Sequence, residues 1–228
     1  MKFLLSNDDG IAASGLAALL EASRAFGQCL VVAPAGPQSG KSHSITWEPL
    51  RLEEFAPDRF AVHGTPADCA RLGLLRVAGD ADWVLSGINH GGNLGADVYY
   101  SGTVAAVREG VLHGWPGIAF SQYLRDGIPP DWPRAARWTV RVLTELLPRP
   151  VEPGLFYNVN FPALAAGAPE PEVVFCPLDP NPLPLSYRHE EGGHHVYDGI
   201  YANRLRKAGT DVDVCFNGRI AITEIRLF

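Results

Sequence analysis

The sequence predicts an α/β protein with a doubly wound, mostly parallel sheet and a smaller β-rich C-terminal portion. Two observations support this prediction. Short apolar runs alternate with segments of helical periodicity over residues 1–150, a pattern typical of a parallel sheet covered by helices. From residue 151 onward, short extended pieces broken by Pro and Gly replace that alternation. We therefore assign 1–150 to an α/β core that carries the site, and 151–228 to a β-rich portion continuous with it.

The first elements follow from local periodicity. The run KFLLS predicts a short buried strand, and the segment after it has Leu16 and Leu20 at helical spacing and Gly27 as its stop. QCLVVAP is the second strand. It leads through a loop rich in Gly, Pro and Ser into LRLEEF and RFAVHG, which are predicted to form a hairpin around Pro57 and Asp58.

The next helix has a strong start, because Thr65 is placed to cap it and Pro66 stands at its first position. DWVLS is the third core strand. The stretch from Gly87 to Gly102 is too rich in Gly and Asn to predict regular structure, and TVAAVREGVLHG then predicts a short helix. GIAFS is strand-like, and PDWPRAARWTVRVLTELL predicts a long amphipathic helix.

Composition excludes several classes of protein. The net charge is −6 and the chain has only three lysines, which argues against a partner that is a nucleic acid polymer. No apolar stretch is long enough to span a membrane, and the acidic start does not fit a signal peptide, so we expect a cytoplasmic protein. The four cysteines are far apart and predict neither a zinc site nor a redox pair.

Polar residues follow the predicted core strands at their carboxyl ends, where open α/β sheets bind ligands. Carboxylates, a hydroxyl and amide oxygens form an all-oxygen set, which suits Mg²⁺ or Mn²⁺ better than zinc. A cation would also relieve the repulsion between two adjacent acids. The residues in these loops are Asn7, Asp8, Asp9, Ser39, Gly40, Asn89, Asn93, Ser101, Gly102 and Thr103.

Simpler interpretations remain open for two of these loops. Asp8 or Asp9 could cap the helix that follows, since Asp is common at turns. The start of the helix at Ser101 offers free amides to an anion, but Ser101 or Thr103 could merely be its cap.

Two other functions compete with a metal site. Gly40, Lys41 and Ser42 have the order of a phosphate-binding loop of NTPases, although the residues after them lack helical periodicity. A receiver-like signalling domain also begins with acids after its first strand. Its phosphate acceptor would be an Asp at the end of the third core strand, where this chain has Ser86.

Several motifs together resemble the SurE family of survival-protein nucleotidases: LLSNDDG, QSGKSHSIT, GTPADC, VLSGINHGGNLGADVYYSGTVAAVREG and NVNFP. The resemblance implies a Rossmann-like core and one divalent metal ion per subunit, Mg²⁺ or Mn²⁺. It implies hydrolysis of nucleoside 5′- and 3′-monophosphates, and also of short polyphosphate. A homodimer or homotetramer is expected, assembled through the C-terminal portion.

The resemblance also implies roles for the residues of the loops. The metal ligands would be Asp8, Asp9, Ser39 and Asn89. One of the two acids, Asp8 or Asp9, would in addition take a proton from the attacking water. The residues that bind phosphate or substrate would be Asn7, Gly40, Asn93, Ser101, Gly102 and Thr103.

Overall fold

The computed structural model describes residues 1–228 as eleven strands and five α-helices. The strands are Lys2–Ser6 (β1), Gln28–Pro34 (β2), Leu52–Ala56 (β3), Arg59–Val62 (β4), Trp83–His90 (β5), Gly117–Gln122 (β6), Leu155–Phe161 (β7), Val173–Phe175 (β8), Tyr187–Glu190 (β9), His194–Tyr197 (β10) and Ile220–Arg226 (β11). The helices are Ser14–Ser23 (α1), Pro66–Leu72 (α2), Gly102–Leu112 (α3), Trp132–Leu146 (α4) and Asp211–Phe216 (α5).

Nine strands form one sheet in the order β3-β4-β2-β1-β5-β6-β7-β11-β8. The six strands from β4 to β7 are parallel, whereas β3 and β11 run antiparallel to their neighbours β4 and β7. The predicted α/β class and mostly parallel sheet are confirmed. Because β2 lies on one side of β1 and β5 on the other, the strand order reverses at β1. This reversal places the ligand crevice at the carboxyl end of β1.

Helices cover both faces of the sheet, as the apolar residues of the central strand require. Phe3 and Leu5 of β1 pack in the cluster formed with α1 and α4, whereas Leu4 packs on the other face in a cluster with Cys69 of α2. Helix α3 covers the same face as α2 farther along the sheet, where Val104 packs in a cluster with strands β6 and β7. The continuous apolar run in KFLLS therefore reflects a strand whose side chains are buried on both faces of the sheet.

Strand β5 continues farther than the sequence predicts. The prediction ended this strand at Ser86 because Gly and Asn follow, but pairing with β6 resumes at Asn89 and His90 after a shift in register. Gly87 makes the shift possible, since its φ of 132° is a conformation that residues with side chains rarely adopt. The extension carries Asn89 to the carboxyl edge of the sheet.

The C-terminal portion adds β7, β8 and β11 to the main sheet and also forms a separate hairpin of β9 and β10. All eight residues of the two hairpin strands are exposed, and the turn between them contains Gly192 and Gly193. No helix of the structure is both long and apolar enough to cross a lipid bilayer.

The close approach of α1 to the end of β5 generates a stability prediction. A methyl group on Gly15 would lie 1.9 Å from the carbonyl oxygen of Ile88, the residue before Asn89. We expect Gly15→Ala to lower the free energy of unfolding by about 1–3 kcal/mol in urea titrations, because overpacking outweighs the helix propensity of Ala.

The matched comparison is Ala17→Gly, at an exposed position of the same helix, which should cost about 1 kcal/mol from propensity alone. A Gly15→Ala protein at least as stable as the wild type would show that α1 does not approach β5 this closely.

Candidate metal and phosphate site

The turn after β1 is closed by Asn7. Its amide nitrogen donates to the carbonyl oxygen of Gly10 at 2.9 Å, and its amide oxygen accepts from the Gly10 N–H at 3.3 Å. Asn7 is fully buried and holds the turn, and it does not line the pocket described below, so its assignment to the substrate-binding residues stays a prediction. Gly10 has a φ of 101°, and a side chain there would press on the backbone of Gly36 in the loop after β2.

Neither acid of this turn caps the following helix. The residue at the cap of α1 is Ala13, and no side chain bonds to the first turn. The simpler interpretation of Asp8 and Asp9 as caps is therefore wrong.

Asp8 is buried against the start of α3. One carboxylate oxygen accepts a hydrogen bond from the Thr103 hydroxyl, and Gly102 lets the helix approach so closely that a methyl group there would lie 2.8 Å from the Asp8 Cβ. Burial raises the pKa of Asp8 to about 6, and the charge of Asp9 contributes in the same direction, whereas the Thr103 bond opposes the rise. The ionised form of Asp8 thus lacks a compensating positive charge.

Asp9 and Asn89 meet where β1 and β5 end side by side. The His90 N–H donates to the Asp9 carboxylate at 3.0 Å. The Asn89 amide nitrogen donates to the carbonyl oxygen of Gly91 at 2.9 Å, so its amide oxygen has no partner within the protein. This orientation leaves an oxygen available as a neutral ligand.

The loop after β2 reaches the same place. The Gln38 N–H donates to the Asp8 carbonyl oxygen at 2.7 Å, and the next two residues, Ser39 and Gly40, are exposed at the rim of one pocket. After Gly40 the chain stays irregular until β3 and forms no helix, so the structural context of an NTPase loop around Lys41 is absent. The pocket is lined by Asp8, Ser39, Gly40, Asn89, His90, Asn93, Asp97, Tyr100, Ser101 and Leu183.

The first turn of α3 forms another wall of the pocket. The Ser101 hydroxyl caps the helix by accepting from the Val104 N–H at 3.0 Å, which confirms the capping interpretation and leaves its proton free to donate. The N–H groups of Gly102 and Thr103 have no acceptor within the helix. Thr103 is fully buried, its hydroxyl is bonded to the Asp8 carboxylate, and its backbone N–H also faces that carboxylate.

Asn93 is fixed by two asparagines that the sequence analysis did not assign to the site. Its N–H donates to the Asn160 side chain at 2.8 Å, and its carbonyl oxygen accepts from the amides of Asn158 and Asn160. Its own amide nitrogen donates to the Ser121 hydroxyl at 2.8 Å. The signal for these partners was present, because NVN places two asparagines on one face of an otherwise apolar strand.

Three other residues of the pocket had no clear signal in the sequence. Tyr100 follows a helical turn within a loop predicted to be irregular, and Leu183 comes from a distant C-terminal segment. Asp97 accepts hydrogen bonds from the Leu94 N–H and from Arg204 at 2.8 Å, so its charge is already paired.

The donor atoms fit a hard divalent cation. The two carboxylates, the Ser39 hydroxyl and the Asn89 amide each keep one oxygen that accepts no hydrogen bond from the protein. The structure has no group of three or more His, Cys, Asp or Glu side chains placed to hold a metal, so a cation here would need the neutral oxygens as well as both acids. Such all-oxygen sets are typical of Mg²⁺ and Mn²⁺.

Comparison with known proteins identifies relatives over the full chain. The family model described as Survival protein SurE matches residues 3–178. A protein of Nostoc sp. is 49% identical over 228 residues, which is 100% of both chains. A protein of Rhizorhabdus wittichii named 5′-nucleotidase SurE is 48% identical over 170 residues, covering 72% of this chain and 67% of that protein. The crystal structure of the SurE protein from Aquifex aeolicus superposes with a TM-score of 0.87 at 33% identity, covering 100% of this chain and 94% of that one.

The raised pKa of Asp8 predicts a pH-dependent cost to stability in protein treated with a chelator. The folded state holds the proton of Asp8 more tightly than the unfolded chain does, so protonated Asp8 stabilises the fold. That stabilisation is complete below pH 4 and is lost as the pH rises through 6. We expect Asp8→Asn, which cannot ionise, to raise the free energy of unfolding at pH 7 by about 3 kcal/mol relative to wild type.

Urea titrations with EDTA at pH 4 and pH 7 measure this effect, and the advantage of Asp8→Asn should disappear at pH 4. An advantage of equal size at both pH values would show that the charge of Asp8 is not its cause.

Proposed function

The chain belongs to the SurE family, and from this premise we propose that it is a phosphomonoesterase that hydrolyses nucleoside 5′-monophosphates to nucleoside and phosphate with the help of a divalent metal ion. The observation that carries the proposal is one pocket in which the Asp8 carboxylate, the Ser39 hydroxyl and the Asn89 amide stand beside Ser101, the cap of α3. Asp9 adjoins this pocket, since it accepts a hydrogen bond from the N–H of the lining residue His90. A relative named 5′-nucleotidase SurE supports the choice of substrate.

The proposed ligands of the metal are Asp8, Asp9, Ser39 and Asn89, through the oxygens that have no partner in the protein. A bound Mg²⁺ or Mn²⁺ supplies Lewis acidity to the phosphate and makes a nearby water more acidic. Asp8 and Asp9 hold the site's negative charge, which a divalent ion neutralises. A site of net charge near zero then accepts a phosphate dianion without repulsion.

The start of α3 binds the phosphate oxygens in this proposal. The free proton of Ser101 and the amide of Gly102 stand at the positive end of the helix dipole, where an anion is favoured. Gly40 and Asn93 complete the polar wall opposite them. These donors are fixed before the substrate arrives, so they stabilise the charge that develops in the transition state without reorganising.

The reaction is a displacement at phosphorus. The oxygen of a water forms the new bond, the bond from phosphorus to the nucleoside oxygen breaks, and the nucleoside leaves with a proton. We assign acceptance of the proton from water to one of the two acids, Asp8 or Asp9, as the resemblance to the family implies. Activity on 3′-monophosphates and polyphosphate, and assembly into a homodimer or homotetramer, stay predictions from the resemblance.

Removal of the metal or of one acid tests the mechanism. We expect the kcat/KM of Asp9→Asn, assayed with AMP and Mn²⁺, to fall by more than about 100-fold. Loss of a residue that only supports a metal ligand costs up to about this factor, and loss of a ligand itself should cost more. Excess EDTA should abolish wild-type turnover to the same degree. The control is Asp126→Asn, an exposed acid that does not line the pocket, which should keep full activity. Undiminished turnover in EDTA would overturn the metal mechanism.

A second experiment separates this proposal from an NTPase. Lys41 is exposed and follows no strand-to-helix turn, so we expect Lys41→Ala to keep most of its activity. Ser39→Ala removes a proposed ligand and should lose far more, measured as kcat/KM for AMP. If Lys41→Ala is inactive and hydrolyses no ATP while Ser39→Ala is normal, the chain is an NTPase instead.

A further inference from the structure

A buried carboxylate outside the proposed chemistry holds three basic side chains together. Glu109, in the last half of α3, is only 4% exposed. Its two oxygens contact His43 Nε2 at 2.7 Å, His113 Nε2 at 3.0 Å and an Arg71 guanidinium nitrogen at 3.1 Å. Burial alone would raise the pKa of Glu109, but the bonds and charge of His43, with help from His113 and Arg71, hold that pKa below its ordinary value. Glu109 is therefore an anion that its neighbours keep charged.

The three partners of Glu109 come from different parts of the fold. His113 follows the last turn of α3 itself, four residues from Glu109, and Arg71 belongs to the neighbouring α2. His43 alone comes from the irregular loop after β2, the loop that carries Ser39 and Gly40. The contact between His43 and Glu109 thus joins this loop to the helix whose first turn contacts Asp8.

The loop needs such a support because it has no regular structure of its own. Ser42, next to His43, has a φ of 54°, a left-handed conformation that costs a non-glycine residue free energy unless its surroundings enforce it. The Ser42 N–H donates to the Tyr100 carbonyl oxygen at 3.1 Å, and its hydroxyl donates to that of Tyr99 at 2.6 Å. These bonds tie the loop to residues just before α3, and the His43 contact ties it to the other half of the same helix.

We propose that His43 and Glu109 are positioning residues that hold the loop of Ser39 and Gly40 at a fixed distance from α3, so that the metal and phosphate contacts are made together. The inference rests on the proposed function, because it takes Ser39 as a metal ligand. Neither residue lines the pocket, so both act through the loop. His43 and Glu109 touch no proposed ligand, so they act on Ser39 only through the backbone of the loop; loss of a partner that orients a metal ligand typically weakens metal binding or activity by about 10- to 100-fold, and we take this range as the expected effect.

His113 provides a matched control. It offers the same donor atom to the same carboxylate, but it stands beside the helix that already bears Glu109 and holds no loop. It is also half exposed, so its ion pair contributes little. A purely structural role of the cluster would change the free energy of unfolding without changing Mn²⁺ affinity, whereas a positioning role makes His43, and not His113, important for the site.

The test compares His43→Leu, His43→Gln and His113→Leu in the full-length protein. Three quantities are measured: Mn²⁺ affinity by calorimetry, kcat and KM for AMP, and hydrogen exchange of residues 38–46 in metal-free protein. For His43→Leu we expect Mn²⁺ affinity and kcat/KM to fall about 10- to 100-fold, with faster exchange at Ser42. His43→Gln, whose amide nitrogen can replace Nε2, should recover most of the loss. His113→Leu should stay within about twofold of wild type in all three.

Each outcome decides the inference. Unchanged exchange and Mn²⁺ affinity in His43→Leu, or equal losses in His113→Leu, would overturn it. If His43→Leu does not fold, His43→Ser, which is too short to reach Glu109, takes its place. A wild-type protein that neither binds Mn²⁺ nor hydrolyses AMP would refute the proposed function, and the exchange measurements would still show whether His43 restrains the loop.

Discussion

The buried contact between Asp8 and the first turn of α3 is the interaction on which the site depends. It requires a carboxylate to leave water next to a second acid, a situation that burial and repulsion both oppose. Hydrogen bonds from the hydroxyl and the backbone of Thr103 offset this cost only in part. What remains unpaired is a concentrated negative charge at the carboxyl edge of the sheet, facing the positive end of a helix. That combination suits a cation and a phosphate bound side by side.

Close backbone approach is the means by which the surrounding loops reach this point. Gly10 lets the β1 turn rest on the loop after β2, and Gly15 lets α1 rest on the end of β5. The contact of Gly15 leaves no room for a methyl group and that of Gly10 is tight, so the strand ends are held at distances that larger residues would disturb. The four proposed metal ligands come from two loops and the end of β5, and rigid spacing between these segments replaces the ligand clusters that short metal-binding motifs provide.

The C-terminal portion contributes to the site indirectly. Asn158 and Asn160 on β7 fix Asn93 from behind, and Arg204 neutralises Asp97 at the pocket wall. A segment that supplies no proposed ligand therefore determines the shape of the polar wall. Glu109 has the same relation to the loop of Ser39, since it lies outside the pocket and acts through His43.

The sequence by itself determined the layers of the fold and the identity of most residues in the pocket. Alternating apolar runs and helical periodicity are local properties, and the carboxyl ends of parallel strands must share one edge, so Asp8, Ser39 and Asn89 could be brought together without coordinates. Only the tertiary structure decided that Asn7 turns inward, that β5 runs on to His90, and that Glu109 meets His43 across 66 residues of chain. The physical reason is that local pattern reports which side chains are buried, whereas the partner of each buried polar group is set by strand register and helix packing between distant segments.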